Sequence, residues 1–524
     1  MLAIAIFPIQ TIIDFMISVK EITSEMPKAP TEEELALITK AYKFSEKAHE
    51  GYTRYSGDPH FLHSCETAKK LAEFGMGSKT ISAGLLHDTI EDTEVTDEDL
   101  LKEFDEEILF LVQGVTKLGR LKYRGAERHA ESLRKLFVAT AQDVRVLIIK
   151  LADRLHNVKT LEHVPRKDRR NRIAKETLEI YVPLAYRLGV RALHRELEDC
   201  AFKEAYPDEY KEVRKLMKHH RPLVEKRLGK IHKSIQKEFA KEKLQDVKIY
   251  SRIKGLYSLY KKMQRRGDIE KIYDIAALRV IVPTISDCYK ALGIIHGHWR
   301  PLPTRIRDYI AFPKPNGYQS LHTTIFTGDG GIVEVQIRSE QMHREAEYGI
   351  ASHLSYKEGP RLKVLDTNFL WIKQLLPKSF TGENSEASTS DAYLKNVDVP
   401  EWLKQLAREQ REAAEPSEFI KQLKSDFFER RIFVFTPKGD VIDLPAGSSP
   451  IDFGYAVHSQ IGDHIAGAKV NGKMVSLDTE LSNGDIVQIE TKKASKPTHK
   501  WLDLAKTSLA RRHIRSSIQK ETKV

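Results

Sequence analysis

Cysteine is scarce: the 524 residues hold three, Cys65, Cys200 and Cys288, far apart and with no CxxC pair. That excludes a disulfide framework and a thiolate zinc site, and it fits a reducing, cytoplasmic location. Long apolar runs are missing beyond the first nineteen residues, MLAIAIFPIQTIIDFMISV, which contain Pro8 and Asp14 and lack a basic lead and an A-x-A cleavage site. No membrane association is expected, which leaves this stretch as a docking helix or as translated sequence ahead of the true start. A Walker loop GxxxxGK[ST] is also absent, so any triphosphate would be gripped by side chains rather than by a glycine cradle. No internal repeat is visible.

What is present is an ordinary soluble balance, 41% hydrophobic and 30% charged, in a chain long enough for about three or four domains. Lys and Arg outnumber Asp and Glu by 85 to 74, so polyanionic partners such as nucleotides or RNA suit it. The pattern divides the chain into seven stretches: an apolar extension (1–30), a helical domain (31–206), a very basic helical connection (207–247), a mixed α/β domain (248–375), a linker with a helix (376–430), a small β-grasp-like module (431–493) and a basic helical tail (494–524).

Within the helical domain, GLLHDTIEDT sets His87 and Asp88 side by side, with Glu91 and Asp92 each four residues later and so one helical turn on. LIIKLADRLHNVKTL puts Asp153 and Asn157 on one helix face, and His63 stands in RYSGDPHFLHS. Polar residues interrupting apolar helices cost several kcal/mol if buried unpaired, so they should line a cavity and share a cation. Two imidazoles and two carboxylates suit a divalent ion such as Mn²⁺, which lowers the pKa of bound water. A lone histidine such as His63 would as readily be a satisfied core residue.

Together, His63, the His-Asp pair and the later LADRLHN resemble the HD-superfamily phosphohydrolases, and the flanking GVTKL and RYSGDPHFLH resemble the hydrolase domain of RelA/SpoT homologues. The resemblance implies that His63, His87, Asp88 and Asp153 hold Mn²⁺, that Glu91 and Asp92 activate water, and that Arg54 and Asn157 contact the nucleotide and its phosphates.

In the α/β domain, GIVEVQIRS alternates: Val333, Val335 and Ile337 face one side of a strand, and Glu334, Gln336 and Arg338 the other. Any half-exposed strand does this. Asp274 opens the run DIAALRVIV, so Asp274 and Glu334 could meet across a sheet and hold Mg²⁺ against phosphates. Basic residues surround them: Arg252, Lys254, Lys262 one turn after Ser258, then Arg305, Arg307 and Lys314. The run PKPNGYQSLHTT adds a turn that could expose Tyr318 for stacking on a purine.

KIYD, RIRDYIAFPKPNGYQSLHTT, VEVQIRS and MHREAEYGIASH resemble the (p)ppGpp synthetase domain of the same family, a nucleotidyltransferase-like fold. The reaction this implies moves the β,γ-pyrophosphoryl group of ATP to the 3′-hydroxyl of GDP or GTP. Asp274 would bind Mg²⁺, and Glu334 would bind Mg²⁺ or take the 3′-hydroxyl proton. Tyr318 would stack on guanine, and Arg252, Lys254, Ser258, Lys262, Arg305, Arg307, Lys314, His322 and Gln336 would position the nucleotides. Two short motifs depart from the bifunctional pattern: Arg305-Ile306-Arg307-Asp308 stands for RFKD, and Asp268-Ile269-Glu270-Lys271 for an RFDQ-like motif.

The segment DFGYAVHSQIGDHIAGAKVNGK resembles a TGS domain, which implies contact with uncharged tRNA on the ribosome through His458. The resemblance covers residues 31 to 520, and it implies a bifunctional enzyme that makes and hydrolyses (p)ppGpp without the further C-terminal regulatory domains of long relatives. Two other readings stand beside it: a Mn²⁺-dependent hydrolase with a weak or silent synthetase, and a tRNA- or ribosome-binding regulator with vestigial catalysis.

Overall fold

A computed structural model describes residues 17–116, 143–266, 276–303, 305–313, 318–328, 331–349, 351, 431–439, 441–482, 484–492 and 494–521. The chain forms two compact units, Met1–Thr116 with Arg145–Arg361, and Lys117–Val144 with Leu362–Val524. Among the described residues no helix is long and apolar enough to cross a membrane.

The first unit begins all-helical: α1 (Val19–Ser24), α2 (Glu32–Ala48), α3 (His60–Glu73), α4 (Ser78–Leu86), α5 (Thr89–Asp92), α6 (Asp97–Glu103), α7 (Glu106–Thr116), α8 (Val144–Lys159), α9 (Lys167–Glu176), α10 (Val182–Arg187) and α11 (Arg191–Ala205). Their starts are written locally. Ser18 with Glu21, Thr31 with Glu34 and Thr96 with Asp99 form capping boxes, each tying up two otherwise orphaned N–H groups. Val146, Leu147, Ile148, Ile149, Leu151, Ala152 and Leu155 of α8 are all buried. A helix apolar on nearly every side belongs in the middle of a core, and α8 is that helix.

The basic stretch becomes α12 (Pro207–Lys241), 35 residues with Pro207 in its first turn and Pro222 inside. It is more than a solvated linker. Val213 and Met217 pack with Phe202 and Leu259, whereas Leu228, Ile231, Ile235 and Phe239 enter the core of the following α/β domain. The helix spans roughly 50 Å, so it can seat its two ends in different cores.

The α/β domain contains β1 (Lys248–Ile253), α13 (Leu256–Arg266), β2 (Ala276–Val282), α14 (Ile285–His298), β3 (Arg307–Asp308), β4 (Leu321–Phe326), β5 (Ile332–Ser339) and α15 (Glu340–Tyr348). The strand order is β1-β2-β5-β4-β3. Only β2 and β5 run parallel, pairing Ala277 with Glu334 and Arg279 with Gln336, while β4 sets His322 opposite Gln336. Val333, Val335 and Ile337 enter the core as their alternation requires. The opposite, polar side is covered too, and Arg338 is 0% exposed.

In the second unit, β6 (Arg431–Phe435) pairs with β7 (Val441–Pro445), and β10 (Val487–Thr491), β8 (Ile465–Val470) and β9 (Lys473–Val475) form a second sheet. The segment PIDFGYAVHSQIG forms two helices, α16 (Pro450–Val457) and α17 (Ser459–Asp463), broken at His458, which has an extended backbone and whose Nδ1 caps the second by accepting from the Gln460 N–H. The tail forms α18 (His499–Leu504) and α19 (Ser508–Glu521), and Trp501, Ala510 and Ile514 share a core with Ile451 and Tyr455. Buried Asp452 anchors this packing, accepting from the Lys506 and Thr507 N–H groups at 2.9 and 2.8 Å.

Candidate active sites

The His-Asp pair does not lie in a continuous helix. α4 ends at Leu86 and α5 begins at Thr89. His87 Nδ1 donates to the Gly84 carbonyl at 2.8 Å and the Thr89 hydroxyl donates to the Leu86 carbonyl at 2.6 Å, drawing those carbonyls from the helical ladder. Neighbours on a straight helix would point about 100° apart; the break lets His87 and Asp88 turn toward one point.

Around that point, His87 Nε2 lies 3.1 Å from Asp88 Oδ1, and His63 Nε2 lies 3.4 Å from Asp88 Oδ2 and 3.2 Å from Asp153 Oδ1. The ligand atoms of His63, His87 and Asp88 fall within 4.8 Å of one another. His63 and His87 are 1% and 0% exposed, and Asp153 3%. With the His87 proton held at Nδ1 by a backbone carbonyl, Nε2 presents a lone pair. This donor set fits a divalent cation. Burial opposes a proton on His87, yet Asp88 and Asp153 raise its pKa to about 9, a sign of surplus negative charge. Burial also opposes charge on Asp153, but Lys150 at 2.8 Å and the two imidazoles hold its carboxyl well below the usual range.

Glu91 and Asp92 occupy the short α5, and both reach solvent. Glu91 is raised to about 7 by lost hydration in the cleft and by Asp88, Asp92 and Asp153, against the pull of Lys150. Asp92 pairs with His60 at 3.3 Å, and His60, Asp88 and Asp92 form an adjoining cluster. Arg54 Nη2 donates to Asn157 Oδ1 at 2.5 Å, and Asn157 donates on to Asp153. The sequence reading overlooked Lys150, His156 and His60. Lys150, at i−3 from Asp153 on an apolar helix, was a usable signal; His60 and His156 gain their meaning only from tertiary contacts.

The second site gathers on β4 and β5. Glu334 Oε1 accepts from Gln336 Nε2 at 2.8 Å and lies 3.1 Å from His322 Nδ1. His322 Nε2 lies 2.8 Å from the Tyr318 hydroxyl, to which Arg338 donates at 2.9 Å. Tyr318 is not displayed to solvent. It is 3% exposed, and the Arg191 guanidinium, from α11 of the helical half, sits 3.8 Å over its ring. Burial would raise the Tyr318 phenol, but His322, Arg338 and Arg191 bring it down to about 6.

Three further arginines converge here, Arg195, Arg252 and Arg279, of which only Arg252 was assigned a site role from sequence. Arg195 and Arg279 bind Glu347 of α15 at 2.5 and 3.0 Å, and Arg338 reaches it at 4.0 Å. Burial and then the neighbouring guanidiniums lower Arg252 to about 10. Ser258, expected to meet nucleotide, donates to Glu198 of α11 at 2.9 Å. Lys254 lies in the turn before α13, Lys262 on α13, and Arg305 and Arg307 are exposed, with Arg307 on β3 opposite His322. Asp274, Lys314 and the Asp268–Lys271 motif lie outside the described residues. His458 is an exposed cap in the other unit.

Three family descriptions match in chain order: HD domain over residues 41–191, "Region found in RelA / SpoT proteins" over 251–361, and TGS domain over 432–491. The chain is 44% identical over 486 residues to the guanosine-3′,5′-bis(diphosphate) 3′-pyrophosphohydrolase of Aquifex aeolicus, covering 92% of this chain and 65% of that one. It is 44% identical to the GTP pyrophosphokinase of Streptomyces coelicolor, covering 93% and 56%. To the Borreliella burgdorferi pyrophosphohydrolase it is 40% identical, covering 92% and 68%. The chain thus spans between about half and two thirds of the length of these curated relatives.

Glu347 yields a pH prediction. Burial would raise its carboxyl, but Arg195 and Arg279 lower it to about 2 from an ordinary 4.5. A depressed carboxylate stabilises the fold above its unfolded pKa and loses that effect as pH falls through its folded one, a contribution of about 3 kcal/mol. Glu347→Gln should therefore lower the thermal midpoint near neutral pH, and the gap from wild type should close as pH falls from about 4.5 toward 2. A gap independent of pH would refute the ion pair's role.

Proposed function

The chain belongs to the RelA/SpoT homologue family, and we propose that it is bifunctional: it transfers pyrophosphate from ATP to the 3′-hydroxyl of GDP or GTP, and it hydrolyses the 3′-pyrophosphate of the (p)ppGpp so made. The observation that carries the proposal is the convergence of two imidazoles and two carboxylates on one point in a chain that also builds the Glu334–His322–Gln336 constellation on a separate sheet.

In the hydrolase, His63, His87, Asp88 and Asp153 would hold Mn²⁺. When bound, the cation supplies Lewis-acid polarisation and a lowered pKa for water. The remaining work falls to the chain. Glu91, with a carboxyl near 7, accepts the proton of the attacking water and Asp92 helps to orient it. Lys150 compensates Asp153, and Arg54 and Asn157 meet the nucleotide and its phosphates.

In the synthetase, Mg²⁺ would be held by Asp274 and Glu334. Glu334, oriented by His322 and Gln336, takes the proton of the attacking 3′-hydroxyl. Arg252, Lys254, Lys262, Arg307 and Lys314 offset the charge that develops on in-line transfer. His87→Ala should cut (p)ppGpp hydrolysis by at least roughly 100-fold and spare synthesis. Glu334→Ala should cut synthesis roughly 10²- to 10⁴-fold and spare hydrolysis. Paired assays of labelled ATP plus GDP and of labelled ppGpp check both, and an activity surviving in its own mutant defeats that assignment.

A second reading, a hydrolase with a quiet synthetase, is favoured by Arg191 covering the Tyr318 ring and by Glu198 engaging Ser258. It expects Arg191→Ala to raise synthesis severalfold; a fall would instead make Arg191 a nucleotide ligand. The TGS domain match supports a further proposal, contact with uncharged tRNA and the ribosome involving His458. Uncharged tRNA should be shifted at moderate salt by the full chain and less by His458→Ala, and equal shifts would remove His458 from that role.

A further inference from the structure

We propose that His156 is a positioning residue for the hydrolase metal site: a neutral imidazole that accepts a hydrogen bond from His63 Nδ1 and thereby turns the lone pair of His63 Nε2 toward the cation. The inference rests on the divalent-cation reading of that site.

A neutral imidazole carries one proton, so the nitrogen that bears it decides which nitrogen can ligate. His63 Nε2 faces Asp88, Asp153 and His87. To bind a cation there, His63 must keep its proton on Nδ1, and that proton needs an acceptor. For His87 the acceptor is the Gly84 carbonyl, a group that can only accept. For His63 it is another imidazole, His156 Nδ1, at 2.7 Å. Two imidazole nitrogens at that distance need one proton between them, and geometry alone does not say whose it is.

Arg54 decides. Its Nη1 lies 3.1 Å from the same His156 Nδ1. A guanidinium has only donors, so His156 Nδ1 must present its lone pair and carry its own proton on Nε2. His63 then donates into that same lone pair, in a three-centre bond shared with Arg54. Through Asn157, Arg54 also supports Asp153, so one guanidinium steadies the partners of two of the four ligands. Such outer partners commonly set metal affinity by roughly 10- to 100-fold.

The test uses the full chain and Mn²⁺ alone, with affinity read from the paramagnetic signal of the free ion. His156→Leu removes the acceptor and should weaken Mn²⁺ binding roughly 10- to 100-fold. His156→Asn replaces Nδ1 with a carbonyl oxygen at a similar place and should bind within about threefold of wild type. Undiminished affinity in His156→Leu, or equal weakening in both variants, overturns the proposal. As a readout independent of how well His156→Leu folds, ¹⁵N spectra of histidine-labelled apo protein should show that the imidazole signal lost in His156→Asn is an Nε2–H tautomer. Loss of an Nδ1–H tautomer also overturns it. Because no nucleotide is present, a failure of (p)ppGpp hydrolysis would tell against the proposed reaction and leave this result standing.

Discussion

Glu347 is the carboxylate on which the arginine cluster of the first unit depends. It is largely buried, and it meets Arg279 from β2, Arg195 from α11 and, more distantly, Arg338 from β5. Like charges packed this closely out of water repel one another, and breaking a buried pair by removing one partner typically costs about 3–5 kcal/mol. One glutamate therefore makes the cluster tolerable while leaving it positive. It also fixes geometry: α15 ends one residue after Glu347, and the next residue, Gly349, has a φ of +54° that lets the chain press against the Leu188 carbonyl, where an added Cβ would lie 2.3 Å from the oxygen. The helical half and the sheet are joined at this spot by charge and by close backbone contact together.

The two candidate sites are opposites in charge, and the opposition says what each wants. Around His63 and His87 the acidic groups Asp88, Glu91, Asp92 and Asp153 exceed the nearby permanent cations Lys150 and Arg54. Asp88 and Asp153 raise His87 against the effect of burial, and for Glu91 burial and then the neighbouring carboxylates act in the same upward direction. Around Tyr318 the imbalance is reversed. Arg195, Arg279 and Arg338 reach Glu347, Arg191 lies over Tyr318, and burial together with the neighbouring guanidiniums lowers Arg252, while His322, Arg338 and Arg191 lower the phenol. An added cation would balance the charge of the first site, and an anionic ligand that of the second.

Legibility from sequence followed the range of the interactions. Helix starts with an S/T-x-x-D/E box, the period-two run of β5 and the apolar α8 are local patterns, and they fold as their patterns require. That His63, His87, Asp88 and Asp153 gather was legible, because polar residues in apolar helices demand a shared purpose, whereas their role as ligands comes from the resemblance. The break at His87 was not, since it depends on side chains capturing carbonyls inside what reads as continuous helix. Tyr318 was misread for a related reason. Exposure is decided by what packs on a residue, and Arg191 lies 127 positions earlier in a stretch that reads only as helix. Arg338 stood on the polar side of β5 in the sequence reading, but nothing local distinguishes a buried arginine from a solvated one.

α11 explains why the halves cannot be treated as beads on a string. Its Glu196 is held by Lys70 of α3 and Lys159 of α8, the helices that carry His63 and Asp153, at 2.5 and 3.0 Å. Its Arg191, Arg195 and Glu198 reach Tyr318, Glu347 and Lys261 across the other boundary. Residues 191, 195 and 198 follow the three- and four-residue spacing of one helix face, and 196 lies off it. A single helix of fifteen residues therefore touches the helices bearing His63 and Asp153 on one side and the Tyr318 ring on the other. Withdrawing Arg191 from Tyr318 requires either its own side chain to swing or the helix to move. In the second case the Glu196 contacts to Lys70 and Lys159 must stretch or re-form as well.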